Sequence, residues 1–352
     1  MMKNSSVELA ALLVTGCFCF KNRALPSGIT FEVLFVPNFE AAIYTAGELG
    51  GSRNPRLRYV SMTASDRLLL QQASDLIGLS AEEFGVFAFP TYFLPCYLGI
   101  SSAREYLSFI EALKQAMQSG CFDSFLQRYP VDFTDMFMRC HQRFFFQSRE
   151  DWRQHTAPLL ADYFAVLDVF SRYIAEYEQQ IWPEHRRMLE RRASALSHRF
   201  LSGGILTRWE HLLNRSVDGC LQFYLCRYNS YWLDATSVSF YQNVLDGEGD
   251  DNLVLEYVSH QVGAQLLHAA AWLGEELLQV REQHPEVFYA AYESLVMFFN
   301  QKVLDRGLTY DLDYYQGDEF VSLYNKIWHS QLSEVDMLRY AVEQMAPRWN
   351  PS

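Results

Sequence analysis

The sequence predicts a mainly α-helical α+β fold with a small sheet in each half. Three observations carry this. Apolar residues recur at helical spacing through most of the chain, almost without interruption from Trp152 to Arg199. Short runs rich in β-branched and aromatic residues stand apart from that pattern in both halves. Finally, 49% of the residues are hydrophobic against 20% charged, so the chain has the apolar surface to build a core and does not belong with disordered sequences. At 352 residues two domains are expected. The boundary is placed near Glu150, where aromatic density drops and long helices begin. It separates an N-terminal α+β region, 1–150, from a helical region, 151–352.

In the first region Ile29 to Val36 is a strand by composition and ends at Pro37. Phe39 to Leu49 has helical spacing and stops at Gly50-Gly51. Ser65 to Ile77 is a helix that Ser65 or Asp66 caps, with Gly78 as its stop. Phe84 to Ile100 is aromatic and broken by Pro90 and Pro95; packing in the core around the two prolines is its simplest role. Ser101 or Ser102 opens a helix running to about Ser119. Phe122 to Arg128 and Phe133 to Phe146 are shorter helices around Pro130.

Beyond Glu150, Pro183 is the main interruption. Proline is tolerated in a first helical turn, so a second helix starts at Ile181-Trp182-Pro183, and Gly203-Gly204 ends it. The helix before it shows a stripe of Leu159, Leu160, Phe164, Leu167, Phe170 and Ile174, expected to face the core. Ile205 to Leu213 is a short helix. Leu221 to Tyr228 and Thr236 to Val244 are strand-like. Asp246 to Asp251 is a polar turn, whose acids suit the positive N-terminal end of the next helix. That helix is expected from Leu253 to about Gln283, stopping at Pro285. Val287 to Leu304 is helical, and two more helices follow Asp318 and Ser333.

The net charge of −13 argues against a nucleic-acid partner, since such binding rests on neutralising phosphates, and against anionic membranes. The best basic cluster, Arg186, Arg187, Arg191 and Arg192, is interrupted by Glu184 and Glu190 and fits a solvated helix face. Cysteines number seven, at irregular spacing, which fits reduced buried thiols and a cytoplasmic protein better than a disulfide framework. The alternative is a lipoprotein anchored at Cys17, because Val14-Thr15-Gly16-Cys17 looks like a lipoprotein cleavage box. Against it, Lys3 is the only basic residue ahead of the box and Glu8 falls within the apolar run. No uncharged run elsewhere approaches the ~20 residues of a membrane span.

One motif carries chemistry in damaged form. Glu256-Tyr257-Val258-Ser259-His260-Gln261-Val262-Gly263-Ala264 lies on the helix after the acidic turn. The order helix, strand, strand, turn, long helix, next helix, over about Leu206 to Phe299, resembles the gluzincin branch of the zincin-type zinc metallopeptidases. The resemblance implies a zincin-like second half, with a small sheet packed on long helices. A working member has H-E-x-x-H here. Two histidines four apart reach one zinc from a single helix face, and the glutamate deprotonates the zinc-bound water, whose pKa the metal lowers towards ~7. By the resemblance His260 stands at the first ligand position and Ala264 at the second. Gln261 stands at the general base, and Glu293 on the following helix at the third ligand. An amide is no general base near neutral pH and a methyl group binds no metal. His268 is eight residues beyond His260, about 12 Å along the axis, too far to share one ion. No zinc, no other cofactor and no catalytic residue are therefore expected. Gly263 costs ~1 kcal/mol relative to Ala inside a helix, which points to close packing there, for example by a strand.

No G-x-S-x-G elbow and no glycine-rich phosphate loop are present. Asp311, Asp313, Asp318 and Glu319 lack EF-hand spacing and fit a turn and helix cap. The functional expectation is a catalytically inactive zincin-like protein that acts as a binding or scaffold module for a peptide or protein. The alternative is a helical regulatory or interaction protein unrelated to peptidases.

Overall fold

The structure, a computed structural model, describes residues 32–37, 39, 41–46, 62–78, 85–131, 133, 137, 146, 148–214, 220–226, 235–239, 242–246, 249–307, 317–328 and 332–349. The Cys17 box, the run 134–145 apart from Phe137, and Asp311 and Asp313 lie outside them. The described residues are mostly helical, with one small sheet. They divide into two compact units, one drawn from 33–195 and 222–249, the other from 196–221 and 250–352. Position 150 lies within the first of these.

The first unit holds the sheet. Strands β1 (Glu32–Pro37), β2 (Cys220–Cys226), β3 (Ala235–Ser239) and β4 (Gln242–Asp246) lie in the order β1-β2-β4-β3. β2 and β4 pair in parallel, β3 and β4 antiparallel. This corrects two expectations. Among the described residues there is one sheet, not one in each half. The run Thr236 to Val244 is also not a single strand: Thr236 to Ser239 belong to β3 and Gln242 to Val244 to β4, which pair antiparallel, although the sequence between them has no Gly, Pro, Asn or Asp to announce a reversal. β2 alternates in exposure only over its first residues; Phe223 to Cys226 are all buried, as in a strand covered on both faces.

The same unit holds helices α1 (Ala41–Ala46), α2 (Ala64–Gln72), α3 (Ser74–Ile77), α4 (Leu94–Tyr97), α5 (Ala103–Ser119), α6 (Asp123–Arg128), α7 (Arg149–Thr156), α8 (Leu160–Glu176) and most of α9 (Trp182–Ser202). The aromatic proline segment is largely helical and buried from Gly85 to Cys96, with a π-turn at Phe89–Phe93 leading into α4 and burying Pro90, Tyr92, Phe93, Leu94 and Pro95. Pro183 lies in the first turn of α9, as expected. α8 is rotated from the expected stripe. It buries Tyr163, Val166, Leu167, Phe170, Tyr173 and Ile174, while Leu159, Leu160 and Phe164 are only half-buried. The ring of Tyr163 stacks on Phe87 at 4.0 Å, and its hydroxyl meets that of Thr91 at 3.0 Å, so a polar aromatic outcompetes the aliphatic stripe by finding a partner. The cap of α2 is Thr63, not Ser65 or Asp66; the Asp66 amide donates to the Thr63 hydroxyl, and the Asp66 carboxylate turns instead to Tyr173 and Arg172. Cys96 and Cys226 are buried thiols, whereas Cys121 is exposed.

The second unit is helical: the end of α9, then α10 (Ile205–Leu213), α11 (Asp251–His268), α12 (Leu278–Gln283), α13 (Pro285–Leu304), α14 (Gly317–Ile327) and α15 (Glu334–Met345). The helix expected from Leu253 to Gln283 is broken. α11 loosens into a π-turn at Ala269–Leu273, and Gly274 is extended at ψ 135°, after which a 3₁₀ turn leads into α12. α13 is the centre of the unit, with Phe288, Ala291, Leu295, Val296, Phe298 and Phe299 among its buried residues; α11, α14 and α15 pack against it. No helix among the described residues is long and apolar enough to cross a membrane.

Candidate functional site

The site lies between α11 and α13. Asp250 caps α11, its carboxylate accepting from the amides of Asn252 at 2.8 Å and Leu253 at 3.2 Å. Arg199 pairs with Asp251 and donates to the Asn252 side chain at 2.9 Å. The entry to the helix is thus fixed by charge and capping, as the acidic turn led one to expect.

Three hydrogen bonds then join α11 to α13, rising on one helix as they descend on the other. The Asn300 amide donates to the Glu256 carbonyl at 2.9 Å, His260 Nε2 lies 3.1 Å from Glu293 Oε2, and the Tyr292 hydroxyl donates to the Ala264 carbonyl at 2.6 Å. The helices are therefore antiparallel, and the central contact joins the two positions singled out as first and third ligand. A carboxylate only accepts, so against it the bond runs from an Nε2–H to Oε2. Both side chains are largely buried, with 10% of His260 and 20% of Glu293 exposed. Ala264, one turn beyond His260, presents only its methyl group. Gln261 is half-buried, and its amide has no hydrogen-bond partner among the described residues. Among the described residues no three His, Cys, Asp or Glu side chains come together as a metal would require. His268 lies apart from the pair. Burial, with the nearby Arg281 guanidinium, pushes it down to about 4, so it is neutral at physiological pH.

The other face of α11 explains Gly263. Trp209 of α10 donates from its indole Nε1 to the Ser259 hydroxyl at 2.9 Å, and the six-membered part of its ring lies against Gly263. A Cβ at position 263 would come within 2.2 Å of that ring. The close approach expected from the sequence is real, but an indole makes it, not a strand. Glu256 on α11 is fully buried and answered by Arg306, whose Nη2 lies 3.4 Å from its carboxylate. Sequence reasoning missed Trp209, Tyr292 and Arg306. The only signal for any of them was Gly263, which announced a large neighbour without naming it.

No family model, curated protein or solved structure matches this chain. What the site can do follows from its own chemistry. The His260–Glu293 pair is a carboxylate-imidazole hydrogen bond between two packed helices. It lacks a second imidazole and a general base, so these residues alone cannot activate water on a metal. The basic cluster on α9 is spent locally: Arg186 pairs with Glu190, Arg187 and Arg191 donate to carbonyls of their own helix, and Arg192 donates to the Gly249 carbonyl.

Proposed function

We propose that the chain is a catalytically inactive, zincin-like protein that works in the cytoplasm as a binding or scaffold module for a peptide or protein. One observation carries the reading: His260 and Glu293, thirty-three residues apart, meet at 3.1 Å across two antiparallel helices. Zinc peptidases of this branch need these two side chains, from these two helices, on one ion. With Gln261 and Ala264 in place of the base and the second imidazole, the carboxylate closes directly on the imidazole and the scaffold stays packed without metal. Recognition then falls to main-chain groups, and β1 and β3, the edges of the sheet, offer them to an added strand.

The test is restoration. In Gln261→Glu/Ala264→His the new imidazole stands one turn from His260, completing a His-His-Glu set with Glu293. The double variant is expected to bind one zinc per chain, read by native mass spectrometry and calorimetry. A double variant that keeps its circular dichroism and cooperative unfolding yet takes up no zinc overturns the zincin-like reading. Stoichiometric zinc in the parent protein, lost in His260→Ala, overturns the inactive one.

A second reading, a helical interaction protein unrelated to peptidases, is favoured by the deep burial of His260, as for a histidine that serves only to tie two helices together. It predicts no zinc in the double variant.

A further inference from the structure

A second feature of the helical unit points to a ligand independently of the His260–Glu293 pair. A groove of about 320 Å³ runs between α10 and α13, lined by Thr207, Arg208, His211, Leu212, Lys302 and Val303. That volume is at the low end for small-molecule sites, ~300–1,000 Å³, and too small for a polymer to fill. Its chemistry runs against the rest of a chain of net charge −13. Arg208 and Lys302 are exposed, and among the described residues neither pairs with a carboxylate. Arg208 is positioned by one donated bond, from Nη1 to the Val303 carbonyl at 3.1 Å, which leaves the rest of its five-donor fork for another acceptor. Lys302 is held loosely, its ammonium 3.4 Å from the Asn325 side-chain oxygen and 5.0 Å from the centre of the Phe298 ring. His211 stands one turn beyond Arg208 on α10, with no hydrogen-bond partner for its ring among the described residues. The Thr207 hydroxyl supplies one more donor. Leu212 and the buried Val303 supply an apolar wall.

We propose that this groove binds a phosphate monoester carrying a short apolar substituent. Two positive charges lining one groove favour a dianion over a single carboxylate. Arginine and lysine are the side chains that grip phosphate best, the first by its fork and the second as a point charge. The ester's apolar part lies against Leu212 and Val303.

Calorimetric titration of the full chain with butyl phosphate tests this, with inorganic phosphate and butyrate as controls. Saturable one-to-one binding of butyl phosphate is expected, weaker for either control and weakening as salt rises. Lys302→Gln, an exposed change that leaves the fold intact, is expected to bind about tenfold more weakly, as is His211→Gln. Sedimentation with phosphatidylcholine vesicles containing phosphatidic acid separates the sources. Pelleting places the ester on a lipid headgroup, and its absence alongside butyl phosphate binding leaves a soluble ester. The proposal falls if butyl phosphate gives no saturable heat, if butyrate binds as tightly, or if Lys302→Gln leaves the affinity unchanged.

Discussion

Gly263 is where a single residue says most about the helical unit. Alanine there would relieve the ~1 kcal/mol that glycine costs a helix interior, so on an open surface the change would stabilise. Here its Cβ would lie 2.2 Å from the Trp209 ring, and the ring cannot slide away without giving up its bond to Ser259. Gly263→Ala is therefore expected to destabilise by about 2 kcal/mol, an overpacking cost larger than the propensity gain. Urea denaturation measures it. Adding Trp209→Phe, which shortens the ring, is expected to recover part of the loss, and the coupling between the two changes isolates the contact. A stabilised Gly263→Ala protein would mean that the indole does not lie there. At this scale the sequence was half legible. The conformational cost of glycine is local and can be read off the chain, whereas its cause lies fifty-four residues upstream on another helix. His260 and Glu293 could be named only because a family pattern assigns them places. Nothing in the spacing itself pairs position 260 with position 293.

Most helices were legible as elements, because capping residues, prolines in first turns and apolar spacing are local signals. Their failures are instructive. The long helix after the acidic turn breaks at Gly274, since a π-turn can absorb the apolar spacing and release the chain at one glycine. The pair β3 and β4 read as one strand because no Gly, Pro or Asp stands between them in the sequence. The cap of α2 was misplaced by two or three residues, because Asp66 looks like a cap but serves as a tie between helices. Its carboxylate accepts from the Tyr173 hydroxyl at 2.8 Å and from Arg172, both on α8. Burial raises the Asp66 carboxyl, but the bonds from Tyr173, Arg172 and Thr63 together outweigh that and hold it below its ordinary 3.8. A carboxyl whose folded pKa is depressed stabilises fully above its unfolded value and loses that contribution as pH falls through the folded one. Asp66→Asn is thus expected to cost about 1–2 kcal/mol at neutral pH. The gap between variant and parent should close below pH ~4. Melting temperatures of both proteins across that range decide it, and a gap that stays constant with pH would show that the charge is not what ties α2 to α8.

For the whole molecule, composition and periodicity gave the mainly helical character, while the assembly of the sheet was out of reach. β1 and β2 are neighbours in space but nearly two hundred residues apart in the chain. A strand's sequence shows that it will pair, not with which partner. The consequence for cutting the chain is concrete. Residues 151–352 look like a helical domain in sequence, yet their first helices are covered by residues from before the cut. Trp152 packs edge-on against Phe122, Phe133 and Phe137, with centroids 5.3–5.8 Å away. Tyr163 loses its stack on Phe87, Tyr173 its bond to Asp66, and Tyr177 and Trp182 lose the Phe39 ring that meets both at 5.3 and 5.4 Å. Each ring buries ~150–250 Å² when covered, so the cut leaves a continuous apolar face on α7, α8 and the start of α9. α11 to α15 keep their mutual contacts, because α13 and everything packed on it lie beyond the cut. The fragment 151–352 is therefore expected to keep helical circular dichroism while binding a hydrophobic dye, and to unfold less cooperatively than the full chain. A fragment that binds no dye and unfolds in one sharp transition would mean that these rings find other cover, and that the chain does divide near residue 150.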